Sequence, residues 1–481
     1  MISEFLREQK RYTQKELCDI LQCGEEKIVP LIRKLREYGV LKIVKASSAQ
    51  KDMSDLIDDE LELVDIDEGE NEHYYIITYV GIITIAGYVL KCYPKYILNE
   101  AKPINELRQI LKVLEKYNSK EQIIHIFNSS GKSQTFNLLA ILLYFLRDYY
   151  EHGVYVNTDE IIESNGSGEI LWDRTINETF SFLSNNRPYY IDLQTKKRVE
   201  DDYDYFKRLH ECIISKASND LSDADILDLF EITEVHLSEE EIDAFGEKEY
   251  ILYRIEKELR VQFNTRKQIM LKTMYAYISR LGHIDDSDGL SMFGTNSFHL
   301  LWEKVCADIM DNQLNRQLDT LQLPVKLHEK YNNKTKLIDI IEKPMWSAAE
   351  RTSSDTMIPD IITIACENNE NTFFIFDAKY YVVSIEQNQQ PKSVPGIDSI
   401  TKQYLYQLAY KEFINDHGFN SVVNCFLMPT EKDELIDKGE VKLNILSDLG
   451  LQNIQIRQMP AKQAYSHYLA GTKIGIGKLD L

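Results

Sequence analysis

The residues whose types and spacing could do chemistry lie in the last third of the chain. Phe373, Phe374, Ile375 and Phe376 form a hydrophobic run that ends on Asp377, Ala378 and Lys379. Such a run reads as a mostly buried strand. Side chains alternate along a strand, so Asp377 and Lys379 share one face while Phe374, Phe376 and Ala378 share the other. Burying a carboxylate and an ammonium is costly unless they pair or hold an ion. Residues 357–364 read as a neighbouring strand with Pro359 and Asp360 near its start, and residues 367–371 as the turn that makes the two a hairpin. Asp360, Asp377, the backbone carbonyl of Ala378 and several waters would make a shell for Mg²⁺ (or Mn²⁺). Such an ion supplies polarisation of a phosphodiester and a lowered pKa for a bound water. Lys379 would orient or help activate that water and offset charge building on phosphorus, in an in-line hydrolysis without a covalent intermediate.

Two helices complete the constellation. Phe298, Leu301, Trp302, Val305 and Ile309 recur at helical spacing, with Glu303 at the edge of the stripe, where its carboxylate could hold water beside the site. A second helix, over residues 399–413, carries Lys402, Gln403, Tyr406, Gln407 and Tyr410. Lys402, Gln403 and Gln407 are candidate DNA contacts on it, although amides and aromatics at helical spacing suit packing equally well. An Asp-x-Lys triplet alone is common by chance and can be a strand-end ion pair. The four features in this order favour a nuclease core.

The elements that must position this core come earlier. Residues 1–45 read as a helix-turn-helix: Thr13 caps one helix, Gly24 breaks it, and a second helix buries Ile28, Leu31, Ile32 and Leu35. Its other faces carry Lys27, Arg33, Lys34 and Arg36. These either read DNA in the major groove of a winged-helix arrangement, with residues 40–44 as the first wing strand, or form the solvated face of a module for protein contacts. Residues 52–72 are dominated by Asp and Glu and read as a loop or linker. Strands are expected over residues 74–96 with a turn at Gly87, helix over 105–150, and one long amphipathic helix after an acidic turn within 237–285. Gly131-Lys132-Ser133 suggests a phosphate loop, but position 126, where that loop needs glycine, is Ile126. The chain itself is therefore expected to bind no nucleotide.

The chain has 481 residues, enough for two or three domains. The expected division is a winged-helix-like segment at 1–50, an acidic loop and β-hairpin region at 51–100, a mostly helical docking region at 101–285 and the nuclease domain at 286–481. A net charge of −22 argues against coating nucleic acid through the whole surface, but not against a local basic face. The 7 cysteines are scattered and suggest no zinc site. With no spanning apolar run and no apolar leader, a cytoplasmic protein without membrane contact is expected.

At this point a family is visible. Pro359-Asp360, Asp377-Ala378-Lys379 and a helix with Gln403 resemble the PD-(D/E)xK nucleases. The whole chain resembles the LlaJI-type restriction endonuclease subunits, related to McrC. Beside the nuclease core, the resemblance rests on residues 79–83, on residues 89–96 with Cys92-Tyr93-Pro94-Lys95-Tyr96, and on residues 168–175 with Trp172-Asp173-Arg174. It implies a mixed α+β multidomain chain with a winged-helix-like, β-rich assembly region and a C-terminal α/β restriction-endonuclease-like core. It also implies an McrB-like AAA+ partner that hydrolyses GTP, and double-stranded foreign DNA such as phage DNA as the target. Trp172, Asp173 and Arg174 are then candidates for the partner contact. The competing readings are a non-catalytic DNA-binding scaffold that docks on and stimulates such a motor, and a repair nuclease that uses the same core.

Overall fold

The computed structural model describes residues 2–45, 73–100, 102–118, 138–200, 204–280, 290–348, 351–367 and 370–481. The expected acidic loop at 52–72 and the Gly131-Lys132-Ser133 turn lie outside them. Two compact units emerge: residues 1–128 with 293–481, and residues 129–292. Mixed α+β architecture holds throughout, with several separate sheets.

In the first unit the chain begins with a strand, Ile2–Arg7, that pairs in parallel with Tyr88–Tyr93. The latter pairs antiparallel with Val80–Ile85 across a turn in which Ala86 (φ 48°) and Gly87 (φ 82°) are both left-handed. Two consecutive positive φ values make the tight turn whose twist matches a hairpin, and Gly87 adopts its share without strain. Val80–Ile85 continues the sheet to Leu290–Thr295. There a Cβ on Gly81 would stand 2.1 Å from the Phe293 carbonyl oxygen, and one on Gly294 2.1 Å from that of Val80. Only glycine permits backbones this close.

Between the first strand and this hairpin lie two short helices. Thr13 caps Gln14–Ile20, as expected, and the structure adds a full capping box with Glu16. Glu25–Glu37 starts at Gly24 and buries Ile28, Leu31, Ile32 and Leu35. Leu41–Lys45 then pairs with His73–Ile77, which also pairs with Arg11–Tyr12. Two sheets thus join segments on either side of residue 50.

The second half of this unit is built on a five-stranded sheet. Ile361–Glu367 and Glu370–Ala378 form the antiparallel hairpin that the apolar runs suggest. The helix Ile397–Asp416 crosses over, and Ser421–Thr430 returns parallel to Glu370–Ala378. Ile454–Pro460 follows in parallel, and Ile436–Val441 closes the edge antiparallel. Phe373, Ile375 and Ile362 pack under the crossover helix with Tyr410 and Phe413. On the hairpin's other face Phe374 and Phe376 stack at 5.6 Å. Phe298–Ile309 buries Phe298, Leu301, Trp302, Val305 and Ile309, the stripe read from the sequence.

The second unit holds the helices Leu138–His152, Tyr205–Asp223, Lys248–Val261 and Thr265–Arg280, a three-stranded antiparallel sheet, and a hairpin of Ser181–Ser184 with Arg187–Tyr190. The single long helix expected near residues 250–280 is two. Gln262 is extended (φ −84°, ψ 126°), and the Asn264 side chain accepts from the Lys267 N–H at 3.1 Å, starting a new helix. Periodicity cannot see a break that keeps the apolar side facing inward. Among the described residues no helix is long and apolar enough to cross a membrane.

Candidate active site

Asp360 stands immediately before Ile361–Glu367, and Asp377 is the penultimate residue of Glu370–Ala378. Antiparallel register sets Ile361 opposite Phe376, so the two aspartates meet at the same end of the hairpin. Their carboxyls are in hydrogen-bond contact. Asp360 Oδ2 also accepts from the Ala378 N–H at 3.0 Å, and Lys379 Nζ lies 3.0 Å from Asp377 Oδ2. Asp377 is buried, while Asp360 and Lys379 are half-buried. The structure therefore brings together the three residues that the sequence singled out.

The electrostatics follow from this crowding. Burial, then hydrogen bonding and repulsion from Asp377, push the Asp360 carboxyl up to about 9. Burial alone would lower the Lys379 ammonium, but attraction to Asp377 and Asp360 leaves it above the ordinary lysine value. Glu303 faces the same group from its helix. Burial raises its carboxyl, Lys379 lowers it and Asp377 raises it.

Two carboxyls in contact, one buried and one half-buried, beside one ammonium suit a hard divalent cation, which would offset their mutual repulsion. Among the described residues no three His, Cys, Asp or Glu side chains converge as a metal cluster. A cation here would thus draw on Asp360, Asp377, backbone oxygen and water.

Several supports were invisible in the sequence. Asn312, just past the Glu303 helix, donates from Nδ2 to the Asp360 carbonyl at 2.8 Å and accepts at Oδ1 from the Ile362 N–H at 3.1 Å. It clamps the backbone on both sides of residue 361. Tyr406 donates to the Ile358 carbonyl at 3.0 Å, and burial, then Asp377 and Asp360, push its phenol up to about 12. The Leu427 carbonyl accepts from the Lys379 N–H at 2.9 Å and from Trp302 Nε1 at 3.1 Å, which fixes the Glu303 helix to the lysine end of the strand.

Two expected DNA contacts require correction. Gln403 is fully buried and donates to the Ile375 carbonyl at 2.8 Å. Gln407 is buried too, accepting from Asn424 Nδ2 at 2.8 Å and the Gln452 N–H at 2.9 Å. Both lie on the side of the crossover helix that covers the sheet, where each amide satisfies backbone or side-chain groups that would otherwise be orphaned. Lys402 is exposed, as are Lys27 and Arg33, while Lys34 and Arg36 are half-buried. In the other unit Trp172 and Asp173 are exposed, and Arg174 pairs with Glu178 at 3.2 Å on the same exposed helix. They border an open depression of about 490 Å³ that Ile162, Ile170 and Lys196 also line.

A family model described as LlaJI restriction endonuclease matches residues 79–461. The chain belongs to the LlaJI restriction endonuclease family. The site lies inside the matched stretch, and membership makes the chain a restriction nuclease. The type II restriction enzyme BsuMI component YdjA of Bacillus subtilis (strain 168) is 25% identical over 406 residues, which span 82% of this chain and 81% of that protein. Among solved structures, a chain of the Thermococcus gammatolerans assembly of McrB AAA+ hexamers with bound McrC aligns over 98% of this chain and 99% of that one, at 13% identity and a TM-score of 0.37. A chain of the Thermococcus gammatolerans McrBC complex aligns over 63% and 85%, at 13% identity and a TM-score of 0.26.

Proposed function

We propose that this LlaJI-family chain is the Mg²⁺-dependent DNA-cutting subunit of a restriction system, with a PD-(D/E)xK site at Asp360, Asp377 and Lys379. One observation carries the reading: two aspartates and a lysine from adjacent strands converge within hydrogen-bond reach at one sheet end. Mg²⁺, when bound, supplies polarisation of the scissile phosphodiester and a more acidic water. Asp360, Asp377 and the Ala378 carbonyl would hold it. Lys379 places a cation where negative charge builds on the phosphoryl oxygens, and it costs no reorganisation because Asp377 already orients it. Glu303 stands beside the pair to orient water.

The remaining parts divide into contacts with DNA and with a partner. The N-terminal helices and their three-stranded sheet fit a winged helix, with Lys27 and Arg33 outward for phosphates. Lys402 is an exposed cation on the crossover helix. In the second unit, Phe180, Phe182, Leu183, Tyr189 and Ile191 are all more than half exposed on and beside one hairpin, near Trp172 in sequence. Apolar side chains this exposed on and beside one hairpin suit a protein partner. The resemblance to McrC-like subunits supports an AAA+ GTPase as that partner, acting with this chain on double-stranded foreign DNA in the cytoplasm.

The test is cleavage of plasmid DNA by the purified chain with its AAA+ partner and GTP, with Mg²⁺ or with EDTA. Asp377→Asn and Lys379→Ala are expected to lose cutting while still co-purifying with the partner. Cutting at the original rate by either variant would place the chemistry elsewhere.

A further inference from the structure

The residue after the site lysine faces the opposite way. Tyr380 is buried, and its hydroxyl donates to Glu8 Oε2. Glu8 follows the first strand of the chain, 372 residues away in sequence, and is only 5% exposed. A carboxylate so placed needs partners. Besides the Tyr380 hydroxyl, Glu8 Oε2 accepts from the Lys95 N–H at 3.2 Å and is attracted by the Lys95 ammonium. That ammonium lies 4.6 Å over the Tyr380 ring and 2.9 Å from Gln9 Oε1. The Lys95 N–H also stands 3.3 Å from the Tyr380 hydroxyl.

The Tyr380 ring touches two further elements. Phe298, the first residue of the Glu303 helix, packs on it at 5.2 Å, and Tyr96 meets it edge-on at 6.3 Å. Tyr96 in turn donates to the Tyr465 hydroxyl at 3.1 Å. An apolar side chain at position 8 would fill the space without the desolvation cost of a carboxylate. What the carboxylate adds is direction: it holds one rotamer of Tyr380, and with it the backbone that carries Lys379. The Cys92 to Tyr96 block, conspicuous in the sequence but without a role there, supplies the other half of this joint.

We propose that Glu8, Lys95 and Tyr380 form a positioning joint that sets Lys379 and the Glu303 helix against Asp377, so that the N-terminal strand is part of the cutting apparatus. This rests on the nuclease reading above. Tyr380 is a positioning residue here and does not touch DNA. A displacement of the N-terminal sheet reaches the site lysine through a single peptide unit.

The experiment uses the full chain with its AAA+ partner and compares Glu8→Leu, Tyr380→Phe, the double variant and Lys379→Ala. Steady-state cleavage is measured over a range of DNA and Mg²⁺ concentrations, and folding is followed by thermal melting. Misplacing a reacting group by a fraction of an ångström to an ångström costs roughly 10- to 100-fold in rate. Each single variant is therefore expected to lower kcat by about 10-fold or more, with KM for DNA within about 2-fold of the original. The double variant should be no slower than the slower single variant, since both remove the same bond. Variants that melt lower but cut at the original kcat would reduce the joint to a packing feature and overturn the proposal. A double variant whose losses multiply would overturn it too. If Lys379→Ala itself cuts normally, the nuclease assignment falls first, and the joint with it.

Discussion

Replacing Asn312 by alanine tests the link between fold and site most directly. Ile361–Glu367 is an edge strand, so alternate backbone groups face away from the sheet. The Asn312 carboxamide satisfies two of them, the Asp360 carbonyl and the Ile362 N–H, and its Oδ1 also accepts from the Leu314 N–H at 3.0 Å. Asn312→Ala removes all three bonds at once. At a net value of about 1 kcal/mol each, the sum is about 3 kcal/mol. Asn312 is half-buried and water can replace part of this, so a loss of about 2 kcal/mol is expected. Urea unfolding followed by tryptophan emission suits the measurement, because Trp302 is fully buried in this unit. The midpoint should fall with little change in slope. Cleavage by the folded variant should drop about 10-fold or more, because the backbone that carries Asp360 is released on one side. A stability loss below about 0.5 kcal/mol, within the range of an inert surface change, would show that the clamp holds nothing. Normal cutting at reduced stability would separate Asn312 from the site.

Two further predictions follow from titratable groups whose surroundings shift them. Burial and Asp377 keep the Asp360 carboxyl protonated near neutral pH in the metal-free chain, so Asp360→Asn should leave metal-free melting nearly unchanged. The variant should lose both cutting and the Mg²⁺-induced rise in melting temperature; an undiminished rise would exclude Asp360 as a ligand. In the second unit burial holds the His210 imidazole down to about 3, with Nδ1 accepting from the Tyr155 N–H at 2.8 Å. A depressed histidine contributes stability above its unfolded value near 6.5 and loses it as pH falls toward 3. That unit should lose about 1.4 kcal/mol per pH unit below 6.5 from this group. Denaturation series from pH 7 to 4.5 should show the slope reduced in His210→Gln, and an identical slope would reject this origin.

Much of the fold was legible because local physics dictates it. Thr13 marks a helix cap, Gly87 a tight turn, and residues 298–309 a buried stripe, each within a few residues. The hairpin of the two aspartates was legible for the same reason: apolar runs bounded by polar residues have few other uses. What failed was the sidedness of the crossover helix. Its apolar and polar residues are so evenly mixed that Gln403 and Gln407 look as fit for DNA as for the core. Their burial was decided by orphaned groups on Ile375, Asn424 and Gln452, distant in sequence.

By itself, the chain's sequence determined which residues form the candidate site, Asp360, Asp377 and Lys379, because a buried charge pair after a hydrophobic strand needs a reason wherever it occurs. Tertiary structure alone decided what holds them. Asn312, Tyr406 and the joint of Glu8, Lys95 and Tyr380 act across 48 to 372 residues of chain. A hydrogen bond across such a separation leaves no periodicity or spacing to read. It exists only once the chain has closed the loop between its partners.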